Sequence, residues 1–599
     1  MKSKTVYAGL YLAVVILFSA CSKHLEKMQA VSYRTICNPL NISYRFQPEI
    51  HAGSVNGKVP SYREGADPTV VLFHDEYYAF VSHSGGYFHS ADLIQWDLIV
   101  PNEVFPVEAY APTAVVMEDE IYLIASGSEQ VIKTSDPQSG VWETVNPAFT
   151  LRLADPALFL DDDGRLYCYA GCSNRTPIYG YELDPKTFEP INGRKSLIYS
   201  DKERRGWEEK SDYNTPVEIN PHIEGAWMNK HNGKYYLQYA SPGTEMKSYN
   251  DGVFVSDSPL GPFTLAEHNP FAYKPEGFAC GAGHGSTFQD RYGNYWHIGT
   301  VTISMRHMFE RRLSLFPLFF DEDDEIVACT GFGDYPMIVP DKKITSAESL
   351  FPGWMLLSYG KKVEVSSTLP GYPSENNMWK FFQHNDADNI TDEDIRTWWS
   401  AATGGKEEWF TLDLGEMAFV YALQINFADE GAQLYQRQNG IYYQYTIETS
   451  TDGNDWEMLV DRSDNTVDMP HDYIQLERPV KSRFFRMKNH YVPSGNFSVS
   501  DFRVFGKSDK NAPSKADSFT VERDDDRRTV KLKWDAVPDA VGYVIRFGTR
   551  EGKLYHHYMV YDQTELAIHS LDAGKPCFFT IDAFNEGGVT KGTTVRQAE

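Results

Sequence analysis

Three acidic residues stand at the same point of a repeated pattern: Asp67 in Ala-Asp-Pro-Thr-Val-Val, Asp155 in Ala-Asp-Pro-Ala-Leu-Phe, and Glu224 in Ile-Glu-Gly-Ala-Trp. Each opens an apolar run, and a polar turn then leads to a second, aromatic run at Tyr77-Tyr78, Leu166-Tyr167 or Tyr235-Tyr236. Carboxyl groups gathered in one pocket are equipment for acid/base hydrolysis. One must be ionised to deprotonate water, and one must be protonated to give its proton to the departing oxygen. A third anion close by disfavours loss of the acid's proton. An Asp-Pro or Glu-Gly pair alone says little. Asp136-Pro137 and Asp184-Pro185 lie in plain turns, and Glu64, Glu276, Glu430, Glu551 and Glu586 each precede glycine. The repeat phase sets Asp67, Asp155 and Glu224 apart.

Two further copies complete the repeat, at Pro112-Thr113-Ala114-Val115-Val116 and at His284-Gly285-Ser286-Thr287-Phe288. A hairpin recurring about every 55 residues predicts a propeller with one blade per copy, five in all. Equivalent positions of successive blades converge on the axis, so the three carboxyls are expected to meet there. His284 shares their phase. A lone histidine is usually structural, and the shared phase sets a functional role beside that reading.

The chain has 599 residues, too many for one core. Its net charge is −27, and with no basic stripe to offset it this argues against nucleic acid as a partner. Aromatic residues make up 14%, which suits globular β structure and stacking on sugars. Lys2 and Lys4 precede the apolar stretch Val6 to Phe18 and then Ser19-Ala20-Cys21. That is the form of an export leader over 1–20. It resembles a bacterial lipoprotein signal, with Cys21 as the lipidated first residue, which implies an exported chain anchored in a bacterial cell-envelope membrane. The alternative is an ordinary signal peptide with a chance cysteine. Export permits disulfides, but Cys37, Cys168, Cys172, Cys280, Cys329 and Cys577 are expected to be free and buried. Cys168 and Cys172 lack two nearby partners for a zinc site.

Residues 21–60 read as a tether and a lead-in strand, Pro39 to Phe46, and residues 61–344 as the propeller. Residues 345–507 alternate in strand fashion around Asp-Gly and Asn-Asp turns, which predicts a β-sandwich. A short linker leads to a second sandwich over 508–599, with anchors Trp534, Tyr543 and Leu571. The expected fold is all-β, a five-bladed propeller followed by two β-sandwich domains.

The propeller segment resembles glycoside hydrolase family 43. The residues that carry the likeness are Ala66-Asp67-Pro68, Asp155-Pro156 with Asp161-Asp162-Asp163-Gly164, Ile223-Glu224-Gly225-Ala226-Trp227, Ser258-Pro259-Leu260-Gly261-Pro262-Phe263 and Gly283-His284-Gly285-Ser286. The resemblance implies that Asp67 is the general base, that Asp155 orients the acid and modulates its pKa, and that Glu224 is the general acid. It implies no cofactor for the chemistry, a place for a structural calcium, and His284 close to such a cation. Trp227 reads as a sugar platform or as a core aromatic. Arg306 reads as a contact to substrate hydroxyls or as a solvated or ion-paired arginine. The implied activity is exo-acting, inverting removal of terminal sugars from plant polysaccharide side chains. α-L-Arabinofuranosidase comes first, with exo-β-1,3-galactosidase or β-xylosidase as alternatives and a non-catalytic surface glycan-binding protein as the reading of another class. Residues 345–507 resemble a discoidin (F5/8 type C) domain through Trp399-Ser400-Ala401, Asp413-Leu414-Gly415 and Ser450-Thr451-Asp452-Gly453-Asn454-Asp455-Trp456. Trp398, Trp399 and Trp409 are expected in its core. Residues 508–599 resemble a fibronectin type III domain and read as a spacer.

Overall fold

The computed structural model describes residues 29–47, 61–376, 378–435 and 440–598; the leader and Cys21 lie outside the described residues. Five antiparallel sheets of four strands follow one another, each built from four consecutive strands. Their first strands are Thr69–Phe73, Thr113–Met117, Ala157–Leu160, Glu224–His231 and Gly283–Gln289. Each pairs with the aromatic-rich run of its own repeat, as Val71 with Tyr78 and Phe159 with Tyr167. The hairpins close tightly where both turn residues adopt left-handed backbone, at His74-Asp75, Glu118-Asp119 and Asn232-Gly233. That turn matches the twist of the flanking strands.

The propeller has a core at every seam. Val71 meets Ala114 and Trp142 between the first two blades, and Met117 meets Leu158 at the next seam. Ala157 meets Met228, Tyr236 meets Phe316, and Val70 meets Trp296 and Leu315 where the ring closes. Among the described residues no strand crosses from the last blade to the first. Closure instead rests on that apolar seam, on Val70 N–H donating to Ser286 Oγ (3.3 Å), and on the N-terminal segment. There Asn38 donates to the carbonyl of Leu315 and Leu40 to that of Leu313, each at 2.9 Å. The expected lead-in strand is accordingly reduced to Arg45–Phe46, paired with Arg63–Glu64. Pro39 has no N–H to give a ladder, and its neighbours direct their polar groups to the fifth blade.

The second domain is a sandwich whose long strands Trp409–Phe427 and His471–Tyr491 run antiparallel over a core of Trp399, Phe410, Ile447, Phe485 and Phe502. Trp398 is buried beside this core, while Trp409 is half-buried with Arg486 over its ring. The third domain packs a three-stranded sheet against a five-stranded one around Val530, Ile545 and Phe579. It is docked rather than held off as a spacer. Gly206 N–H donates to the Leu571 carbonyl at 2.9 Å, Arg528 reaches Glu209 at 2.6 Å, and Tyr335, Phe505 and Phe584 share one apolar cluster where the three domains meet.

Candidate active site

One backbone feature recurs in all five blades. Asp67, Ala111, Asp155, Gly225 and His284 have φ of 53°, 44°, 47°, 57° and 45°. Each stands two residues before Thr69, Thr113, Ala157, Trp227 or Ser286, where regular pairing of the first strand sets in or resumes after a bulge. Left-handed backbone is uncommon outside glycine, and Asp and His tolerate it better than most. This is the true fivefold position, and it corrects the expectation that the three carboxyls are equivalent. Asp67, Asp155 and His284 occupy it, whereas Glu224 stands one residue before it. Its blade places Gly225 there, and a Cβ on Gly225 would lie 2.5 Å from Cγ of His284. The missing side chain is the room that the imidazole fills.

Asp67 is held as an anion. Its Oδ1 is 3.1 Å from Nη1 of Arg311 and 3.1 Å from Nδ1 of His284, and its Oδ2 accepts from Ser82 Oγ at 2.7 Å. Burial alone would raise its pKa. The Arg311 guanidinium and the His284 ring outweigh burial and hold the carboxyl well below the usual range. Arg311 begins the strand Arg311–Phe320 and also pairs with buried Glu64 at 2.6 Å.

Glu224 is held differently. The Tyr249 hydroxyl donates to Oε1 at 2.6 Å, and the Cys172 thiol donates to Oε2 at 3.0 Å. The Cys172 sulfur and one carboxylate oxygen each of Asp155 and Glu224 lie within 4.8 Å of one another. Burial pushes Asp155 up to about 7; the Glu224 and Asp67 charges add to this and His284 opposes it. Its charge is therefore only partly present at neutral pH. Ser126 fixes Asp155 by accepting from its backbone N–H at 2.9 Å and donating to Oδ1 at 3.2 Å.

His284 joins the two halves, with Nδ1 also 3.8 Å from Oδ2 of Asp155. Burial works against its positive charge, but Asp67, then Asp155 and Glu224, raise it to about 9. Both ring nitrogens therefore carry protons at neutral pH, so the residue offers N–H groups rather than a lone pair. The imidazolium itself brings positive charge to the site. Asp251 supports its backbone, accepting from His284 N–H at 2.8 Å and Gly285 N–H at 2.9 Å.

Two expected substrate contacts are used elsewhere. Trp227 packs at the seam of the third and fourth blades and donates Nε1–H to the Thr287 carbonyl at 3.1 Å. Arg306 pairs with Glu310 at 2.9 Å, donates to the Ala428 carbonyl and lies 4.6 Å over the Trp398 ring, tying the fifth blade to the second domain. Cys172, expected to be buried, is exposed. Burial of the thiol group itself, then the Glu224 and Asp155 charges, hold its pKa far above the usual thiol range. Arg311, Tyr249, Cys172 and Asp251 were not legible as site residues, since none lies in the repeated motif.

The family profile described as Glycosyl hydrolases family 43 matches residues 61–326. The propeller is a family 43 domain. The F5/8 type C domain profile matches residues 364–501. Beta-D-galactofuranosidase xynD of Aspergillus niger is 25% identical over 304 residues, covering 44% of this chain and 81% of that protein. An arabinoxylan arabinofuranohydrolase of Paenibacillus polymyxa is 28% identical over 199 residues, 30% of this chain and 29% of that protein. The chain thus spans less than a third of the second relative's length. A solved structure titled "Glycoside hydrolase" superposes with a TM-score of 0.44 at 18% identity, covering 74% of this chain and 97% of that one. Within the family 43 domain, two carboxyls flank His284 in opposite settings. Asp67 lies among cations, and Glu224 lies among neutral donors beside Asp155.

Proposed function

We propose that this chain is an inverting, exo-acting glycosidase that removes terminal sugars from plant polysaccharide side chains, with α-L-arabinofuranose as the favoured sugar. The observation that carries the reading is the contrast between Asp67 and Glu224. Asp67, beside Arg311 and His284, stays ionised and accepts a proton from water as that water attacks the anomeric carbon. Glu224 gives its proton to the departing oxygen, with Tyr249 and Cys172 fixing the plane of its carboxyl. Asp155 adds negative charge beside both Glu224 and His284, and its ionisation near neutral pH makes that contribution depend on pH. No covalent intermediate is required, and no step runs through a metal.

The choice of sugar draws on the relatives. The names arabinofuranohydrolase and galactofuranosidase both specify furanose rings, and a β-xylosidase of Xylanibacter ruminicola is 31% identical over 132 residues. An exported, lipid-anchored position, as the sequence around Cys21 implies, would bring the site to polysaccharide outside the cytoplasm. The test is a screen of aryl glycosides and arabinogalactan and arabinoxylan oligosaccharides, with the product anomer followed by NMR. The expected result is release of one sugar at a time with inverted configuration. A retained anomer refutes the base assignment of Asp67. A wild-type chain that binds oligosaccharide but hydrolyses none supports the binding-protein alternative.

A further inference from the structure

The pairing of Arg311 with Asp67 does not stand on the propeller alone. Arg311 Nη1 also donates to Thr244 Oγ1 at 3.2 Å, and the Thr244 carbonyl accepts from Thr302 Oγ1 at 2.7 Å; Thr302 is the ladder partner of Arg311. Thr244 lies in the 242–249 loop between strands Lys234–Ser241 and Asn250–Ser256, and Tyr249 of the same loop holds Glu224. One loop therefore carries a partner of each half of the site.

The second domain grips this loop from outside. Arg396 donates Nη2–H to the Glu245 carbonyl at 2.9 Å and Nη1–H to Asp212 Oδ2 at 2.7 Å. Asp212 Oδ1 in turn accepts from the Lys247 backbone at 2.9 Å, and Lys247 Nζ meets Asp394 at 2.9 Å. A second grip falls on the fifth blade. Buried Asn376 donates to the carbonyls of Ser304 and Met305, at 3.0 and 2.9 Å, in the loop that runs into Arg311. A planar guanidinium can hold a carbonyl and a carboxylate at once in fixed directions, which a single ammonium cannot.

We propose that the F5/8 type C domain is part of the catalytic unit, with Arg396 as a positioning residue that sets the 242–249 loop and through it the placement of Arg311 against Asp67. Arg396 touches neither Asp67 nor the place where a sugar would react. The inference rests on the hydrolase reading only for its activity measurement. The charged and titratable groups facing Asp67 are Arg311, His284, Glu64, Asp155, Tyr110 and Tyr249; Tyr249 belongs to the loop that Arg396 holds and bonds Glu224, and Arg311 is the cation bonded to that loop.

The test compares wild type, Arg396→Ala, Arg396→Lys and Arg483→Ala in the full chain; Arg483 pairs with Asp413 inside the second domain. Hydrogen–deuterium exchange is followed over 242–249 and 303–312, and the pH profile of kcat/KM over an arabinofuranoside. In Arg396→Ala, exchange should rise in both segments. Rate should fall between about tenfold and about a hundredfold, the scale of small misplacements of catalytic groups. The acidic limb should move to higher pH, because a displaced Arg311 stabilises the Asp67 anion less. Arg396→Lys should recover part of each effect, and Arg483→Ala should show none. Exchange changes confined to 392–398, or a lowered rate with an unmoved acidic limb, would overturn the proposal. A wild-type chain without hydrolase activity would sink the functional reading and leave exchange to decide this one.

Discussion

Replacing Arg311 by Met is the most direct trial of how Asp67 is kept ionised. Arg311 lies between two buried anions, 2.6 Å from Glu64 and 3.1 Å from Asp67, and all three side chains are 4% exposed or less. At 3.1 Å and an effective dielectric of about 20, the Asp67 pair alone is worth about 5 kcal/mol. That corresponds to an upper bound of about 4 pKa units, and relaxation with His284 still present should leave a rise of about 1–3. The acidic limb of kcat/KM, which reports protonation of the base in the free enzyme, should move to higher pH by that amount. Stability follows the same sign. A depressed folded-state pKa contributes stability that is present above the unfolded pKa, about 4 for Asp, and lost as pH falls through the folded value. The variant lacks that contribution. Its deficit should be near its full size, about 3–5 kcal/mol, at pH 7 and should shrink as pH falls below about 4. Urea unfolding at several pH values measures the deficit, and an aryl arabinofuranoside measures the limb. If the single variant does not fold, Glu64→Gln with Arg311→Met removes one anion along with the cation and carries the test. A folded variant with an unmoved acidic limb would refute the account of Asp67.

Two further perturbations probe the remainder of the site. Asp155→Asn removes a carboxylate 3.8 Å from His284, so the imidazole, raised to about 9, should titrate at lower pH in a histidine-selective NMR experiment, and turnover should fall by about 10²–10⁴-fold with the fold intact; an unchanged titration would mean that the two groups do not interact. Gly225→Ala places a methyl 2.5 Å from the His284 ring on backbone with φ of 57°, which should displace the ring, lower activity by at least about tenfold and cost about 1 kcal/mol or more in stability; wild-type rate and unfolding midpoint would show that the site has slack that the geometry denies.

The repeat made much of this protein legible in one dimension. Five copies of an apolar run, polar turn and aromatic run specify five hairpins, because strand periodicity and turn chemistry are local properties. The carboxyls Asp67, Asp155 and Glu224 and the ring of His284 could be picked out because they recur at nearly one phase. What each meets on the axis is not local. Arg311 reaches Asp67 across 244 positions of sequence, and Cys172 reaches Glu224 across 52. Neither partner carries a motif of its own. The one-residue offset of Glu224, with Gly225 yielding space to His284, comes from backbone dihedrals and a bulge, and residue types alone do not encode it. Arg306 and Trp227 show the converse. Both have side chains able to bind sugar, and packing between blades and between domains decided that they bind protein instead. The third domain likewise read as a spacer from its fibronectin type III resemblance, yet it shares a core with the other two, because the faces it buries become neighbours only after all three have folded.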